Sequence, residues 1–299
     1  MRQISRRDLL AGAAVAASGL VLPRPGLFAK DETKKAEMKI GLVTYLWGAK
    51  WNLDECLHNC SAAGVPGLEL RTTHGHRVEP SLNKKQRAEV KQKFEDRGVV
   101  CLGPGSNERF DHREAGQLKK AIETTKGFLQ LSHDIGGSGV KVKPNSFQRG
   151  VPKEKTIEQI GKALGELARF GDGLGQEVRL EVHGKIGQDF AALRSIMKIA
   201  NHKRAVICWN SNDGETQGKG IEPRFQLVKD FMGQTAHVRE MNIGEYPYQQ
   251  LMDLFAGMNY TGWILLECRT KVKDGVKAMR EQRNVWEKMV REAKRKLPE

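Results

Sequence analysis

The chain has 299 residues, 39% of them hydrophobic and 29% charged, a balance that excludes an intrinsically disordered protein and suits one large globular domain with a short leader. Five cysteines, odd in number and without a CxxC pair, exclude a disulfide scaffold. The net charge of +14 comes from scattered lysines and arginines, with no dense basic stripe interleaved with aromatics, so no nucleic acid is expected as a partner.

The first feature in chain order is Ser5-Arg6-Arg7-Asp8-Leu9-Leu10, followed by a run of mostly small and apolar residues to Leu22. It resembles a twin-arginine export signal, which implies an exported, periplasmic protein. The run is shorter than the roughly 20 residues that span a bilayer, so no stable membrane span is expected unless the signal stays uncleaved as an anchor. Residues 1–29 are read as the signal segment, 30–37 as a linker and 38–299 as the folded domain.

From Met38 onward, short β-branched or apolar runs recur: Met38–Trp47, Gly67–Thr73, Val99–Gly105, Val140–Pro144, Val178–His183, Ala205–Asn210, His237–Asn242 and Trp263–Arg269. Amphipathic stretches separate them: Asn52–Ala63, Asn83–Arg97, Ala115–Ile135, Glu154–Phe170, Gln188–Ala200, Glu222–Met232, Tyr248–Gly257 and Gly275–Lys296. Strands alternating with helices predict parallel βαβ units, and eight of them predict a single (β/α)₈ TIM barrel. An open doubly wound sheet would want a glycine-rich phosphate turn, and Gly103-Pro104-Gly105 does not open a GxGxxG helix.

Strand residues alternate between faces. In Val178-Arg179-Leu180-Glu181-Val182-His183 the apolar residues face the helices, so Arg179, Glu181 and His183 point into the barrel. The same parity aligns Val206, Cys208 and Asn210; His237, Arg239 and Met241; Leu265, Glu267 and Arg269; Glu69, Arg71 and Thr73; and Lys141 with Lys143. Glu181, Asn210, His237 and Glu267 follow one another at 29, 27 and 30 residues. Each step is close to one βα unit of about 31 residues, which brings the four side chains around one axis near the C-terminal mouth, where barrels keep their active sites. Two carboxylates, an imidazole and an amide oxygen suit a divalent ion such as Mn²⁺, Mg²⁺, Co²⁺ or Zn²⁺.

Leu180-Glu181-Val182-His183-Gly184, Cys208-Trp209-Asn210-Ser211-Asn212, Ala236-His237-Val238 and Ile264-Leu265-Leu266-Glu267 together resemble the sugar isomerase/epimerase superfamily with a xylose isomerase-like barrel. That resemblance implies one divalent metal held by Glu181, Asn210, His237 and Glu267, with Glu181 and Glu267 also acting as acid and base. Asn210 departs from the family pattern, which has Asp there and therefore one more negative charge. His74 and His76, in the loop after the second strand, are expected at the substrate, as are Lys141, Lys143, His183, Arg239 and Arg269.

The implied activity is isomerisation or epimerisation of a sugar or keto-sugar by proton transfer next to a carbonyl, with a small-molecule carbohydrate as partner and an oligomer compatible with it. The same apparatus serves a keto-glycoside lyase or dehydratase. Asn210 keeps open a non-catalytic carbohydrate-binding barrel that has lost its metal. An AP-endonuclease-like site would need more His and Asp ligands than the chain places at the mouth.

Overall fold

Asn52 and Asn83 start the first two helices. Each side chain accepts a bond from the backbone three residues on, and Glu55 and Gln86 reach back to close capping boxes. Gly64 and Gly98 then end those helices in the left-handed conformation. Such local stops and starts deliver the chain to its strands in a computed structural model that describes residues 36–298. The expected signal segment, and the linker up to residue 35, lie outside the described residues.

Eight parallel strands pair in sequence order and close on themselves as a single TIM barrel. They are β1 (Lys39–Val43), β2 (Gly67–Arg71), β3 (Val100–Arg109), β4 (Gly139–Lys143), β5 (Glu177–Glu181), β6 (Ala205–Asn210), β7 (Met232–Val238) and β8 (Trp263–Leu266). Outside them run α1 (Leu53–Ala63), α2 (Lys84–Arg97), α3 (Ala115–Asp134), α4 (Lys153–Asp172), a short turn of helix α5 (Gly184–Gly187), α6 (Phe190–Ala200), α7 (Ile221–Val228), α8 (Tyr248–Gly257) and α9 (Gly275–Arg295). Among the described residues no helix is long and apolar enough to cross a membrane.

The main core lies between strands and helices, where Leu42, Leu68, Val142, Leu180, Ile207 and Ile264 are fully buried. Trp209 points outward into this layer, 5.4 Å from the Phe190 ring and 5.6 Å from Phe225. Among the described residues, a small apolar cluster of Val43, Leu102, Trp263 and Leu265 occupies part of the barrel interior. Its floor is polar. Arg179 donates to Glu177 Oε2 at 2.9 Å, to the Leu102 carbonyl at 2.7 Å and to Ser138 Oγ at 2.7 Å. Every guanidinium nitrogen is thereby engaged, which is the condition for burying such a charge.

The seventh strand differs from the expectation. It begins at Met232 rather than His237, and α7 stops at Val228, short of the expected Met232. The register explains this: Ala236 pairs with Trp209, and His237 pairs with Asn210 on one side and Leu265 on the other. Gly233 belongs to the strand because a Cβ there would lie 2.4 Å from Val206 Cγ2. His237 therefore sits at the C-terminal end of β7, level with Asn210. Arg239 and Met241 follow the strand instead of lying in it, and Met241 is buried in the outer core.

Candidate active site

At the mouth end of β5, β6, β7 and β8, the four spaced residues meet. Asn210 Nδ2 donates to Glu181 Oε1 at 2.6 Å and to Glu267 Oε2 at 3.0 Å, so one amide bridges both carboxylates. Glu181, Asn210 and His237 are at most 1% exposed, and Glu267 is 4% exposed. The His237 ring lies beside the pair, its Nδ1 3.8 Å from Glu181 Oε1 and 4.0 Å from Glu267 Oε2. On its far side, Nε2 is 3.3 Å from the Glu69 carboxylate on β2. Glu69 has space for its carboxylate because Gly105 faces it: a Cβ there would be 2.6 Å from Glu69 Oε1.

Three buried carboxylates require compensating charge. Lys141 Nζ, 3.0 Å from Glu181 Oε2 and also donating to the Ser106 carbonyl at 3.1 Å, supplies one cation from below. Burial alone would raise the Glu181 pKa, but Lys141, His237 and His183 outweigh it and hold the carboxyl well below the ordinary range. Burial likewise favours a neutral His237. The neighbouring Cys208, Glu69 and Glu181 reverse this and hold its pKa well above the ordinary imidazole value.

Glu181, His237 and Glu267 offer donor atoms that all lie within 4.8 Å of one another, an arrangement that can hold a metal ion. Two details fit such an ion. His237 Nδ1 has no hydrogen-bond partner and faces the two carboxylates, while Nε2 is fixed by Glu69, the usual arrangement of a ligating histidine backed by a carboxylate. Asn210 Oδ1 also has no partner, and half a turn of the amide would bring it where Nδ2 now stands.

Residues 57–289, which include all of these groups, match the family of xylose isomerase-like TIM barrels. The chain belongs to the xylose isomerase-like TIM barrel family. Its barrel is similar in fold to L-ribulose 3-epimerase, at 14% identity and a TM-score of 0.75 over 87% of this chain and 96% of that one. It is also similar to D-allulose 3-epimerase from Methylomonas sp., at 14% identity and a TM-score of 0.71 over 85% and 98%. A third likeness is to 3-keto-D-glucoside 4-epimerase from E. coli, at 16% identity and a TM-score of 0.70 over 84% and 100%. No curated protein matches the chain by sequence.

The other expected site residues of this xylose isomerase-like barrel divide into two groups. Lys143, His183 and His74 ring the mouth, and the two histidines each keep a buried Nδ1 without a partner. Burial lowers the pKa of both rings, more than Glu181 beside His183 or the backbone contact with Thr44 beside His74 raises it. Arg239 borders the mouth too, with its guanidinium turned 3.1 Å from Asp213. Arg269 is exposed in the loop after β8.

Two expected substrate contacts are engaged elsewhere. His76 is buried, with Nε2 at 2.8 Å from the Arg71 carbonyl and Nδ1 accepting from Val78 N at 3.0 Å, so both ring nitrogens serve the loop. Lys141 lies beneath Glu181, with its charge committed to that carboxylate. Reading inward-facing residues strand by strand did not find Glu240, just past β7. Its Oε1 accepts from Arg269 N, Thr270 N and Thr270 Oγ1 at 2.9, 2.7 and 2.6 Å, which fixes the loop that leaves Glu267. Glu215 escaped notice as well; it joins the loops after β6 and β7 by accepting from Tyr246 Oη at 2.7 Å and Asn212 Nδ2 at 3.0 Å.

Proposed function

We propose that this protein is a sugar or keto-sugar epimerase or isomerase that moves a proton at a carbon next to a carbonyl, assisted by one divalent metal ion. The observation that carries the reading is the pair of buried carboxylates, Glu181 and Glu267, flanking one donor-lined space with His237 between them. Two acid–base groups on opposite sides of one small volume are what inversion or migration of a proton requires. The family and the epimerases of similar fold support the same chemistry, on a ketose or keto-sugar.

Glu181, ionised at neutral pH, takes the proton from the carbon, while Lys141 holds that carboxylate in place at 3.0 Å. Glu267 returns a proton from the other side; Arg71 Nη1, 3.9 Å from its Oε1, and the loop anchored by Glu240 orient it. His183 and His74, with unpartnered ring nitrogens at the mouth, bond the sugar hydroxyls. Glu181, Glu267, His237 and Asn210 Oδ1 would hold the metal, whose charge stabilises the negative oxygen that forms as the proton leaves. The export signal read in residues 1–29 would place this activity in the periplasm.

The test is incorporation of solvent deuterium into ketoses and 3-keto-sugars by the purified protein with Mn²⁺. Activity should fall by at least about a hundredfold in Glu181→Gln and in Glu267→Gln, the usual weight of one acid–base group. Wild-type incorporation in either variant would remove that residue from the mechanism. The Asn210 bridge favours a second reading, a carbohydrate-binding barrel without metal or turnover. Calorimetry with Mn²⁺ separates the two, since that barrel would bind sugar but no metal.

A further inference from the structure

Above the carboxylates the mouth carries a second polar arrangement, and it is cationic. Arg71 ends β2 and Lys143 ends β4, both on the inward face, with the last part of β3 between them. Arg71 Nη2 lies 3.3 Å and Lys143 Nζ 3.1 Å from the same atom, Asn107 Oδ1. Two positive charges therefore share one neutral oxygen, at a separation no greater than the sum of those two contacts.

Neither cation has a close carboxylate among the described residues. For Arg71 the only one within 4.0 Å is Glu267, at 3.9 Å. Lys143 has none within that distance, while Lys141, two residues earlier on the same strand, is committed to Glu181. The Arg71 side chain is only 18% exposed, and its guanidinium is held over the Tyr45 ring at 5.0 Å, which fixes its plane. Lys143 is half-buried, and burial together with Lys141 brings its pKa down to about 8. Hydroxyl groups of a neutral sugar do not need two like charges forced together at this cost. A carboxylate or phosphate bridging both nitrogens relieves the repulsion and forms two charge-assisted bonds.

We infer that Arg71 and Lys143 form a subsite for an anionic group of the substrate, which is then a keto-sugar acid or a phosphorylated ketose. This rests on the epimerase reading only for the word substrate; binding of the anion is independent of turnover. The two residues stand at the strand ends, one pleat nearer to solvent than Glu69 and Lys141. An anionic group bridging them lies one pleat above the carboxylates, with Arg71 Nη1 3.9 Å from Glu267, so it belongs to a carbon other than the reacting one.

Calorimetry on the full chain with D-fructose, D-fructuronate and D-fructose 6-phosphate tests this. The three share a carbonyl position and differ at the terminal carbon, so the two anionic arms separate a carboxylate subsite from a phosphate subsite. At least one anionic ligand should bind about tenfold or more tightly than fructose, the weight of one charge-assisted bond. Lys143→Met should bring the two affinities within about threefold, and Lys143→Arg should keep the preference, with melting temperatures checking that both variants fold. Anionic ligands that bind no better than fructose, or a preference that survives Lys143→Met, overturn the inference. Solvent deuterium incorporation on the same three sugars is read separately: charge-dependent binding without incorporation leaves the subsite standing and removes the epimerase reading.

Discussion

Replacing Asn210 by Asp tests the centre of the site, because the amide now does two things that a carboxylate cannot. Its Nδ2 donates to Glu181 at 2.6 Å and Glu267 at 3.0 Å. Hydrogen bonds to charged groups are worth about 1.5–3 kcal/mol each, so Asn210→Asp removes about 3–6 kcal/mol from the metal-free protein, before repulsion among three carboxylates is counted. At about 2 °C per kcal/mol for a domain of this size, the melting temperature in chelator should fall by roughly 6–12 °C. With Mn²⁺ the order of advantage reverses. The introduced carboxylate is a charged ligand where wild type offers a neutral oxygen, so the variant should gain more degrees than wild type along a Mn²⁺ titration. Thermal melts followed by circular dichroism, in chelator and then in rising Mn²⁺, measure both effects. A variant that melts at the wild-type temperature in chelator refutes the stabilising bridge. Equal Mn²⁺ protection of both proteins refutes Asn210 as part of the metal site.

Two further outcomes follow from other residues. Glu69→Gln weakens the charge that backs His237 Nε2, and Mn²⁺ affinity by calorimetry should drop about 10-fold or more; an unchanged affinity would separate Glu69 from the metal site. Glu215 has its pKa pushed up to about 7 by burial, against the hydrogen bonds from Tyr246 and Asn212. Between about pH 4.5 and 7 the folded chain holds a proton that the unfolded chain has released, so stability declines across that window and levels off above it. Glu215→Gln should remove about 2 kcal/mol of that decline, seen in denaturant midpoints at pH 5 and pH 7; an identical pH slope in the variant would place the ionised group in water.

The barrel and its central four residues were legible because parity and spacing are both geometric. In β5 and the two residues after it, the alternation of Val178, Leu180 and Val182 with Arg179, Glu181 and His183 leaves one solution, and the closed sheet repeats it on the neighbouring strands. The seventh strand was less legible. Met232 to Thr235 reads as weak strand, and only the close approach of Val206, which leaves no room for a Cβ at Gly233, and the pairing with β6 and β8 show why it belongs there. Side-chain partnerships across the barrel were beyond reach. Glu69 and His237 are 168 residues apart, and His76 looks the same in sequence whether it faces a ligand or its own loop. The cation pair was half visible: Lys143 stood out as an inward-facing charge, but its sharing of Asn107 with Arg71 depends on how far β3 extends past Gly105.

The Arg179 floor makes the mouth the natural doorway of the proposed site. Glu177, Leu102 and Ser138 engage every nitrogen of the guanidinium, and Trp263 belongs to the small apolar cluster inside the barrel. On the proposed reading, a sugar seated at the mouth would be its own stopper. The hydrogen lifted by Glu181 would stay captive until the product leaves, and isotopic memory between successive turnovers would be set by the residence time of the guest, not by the acidity of the host.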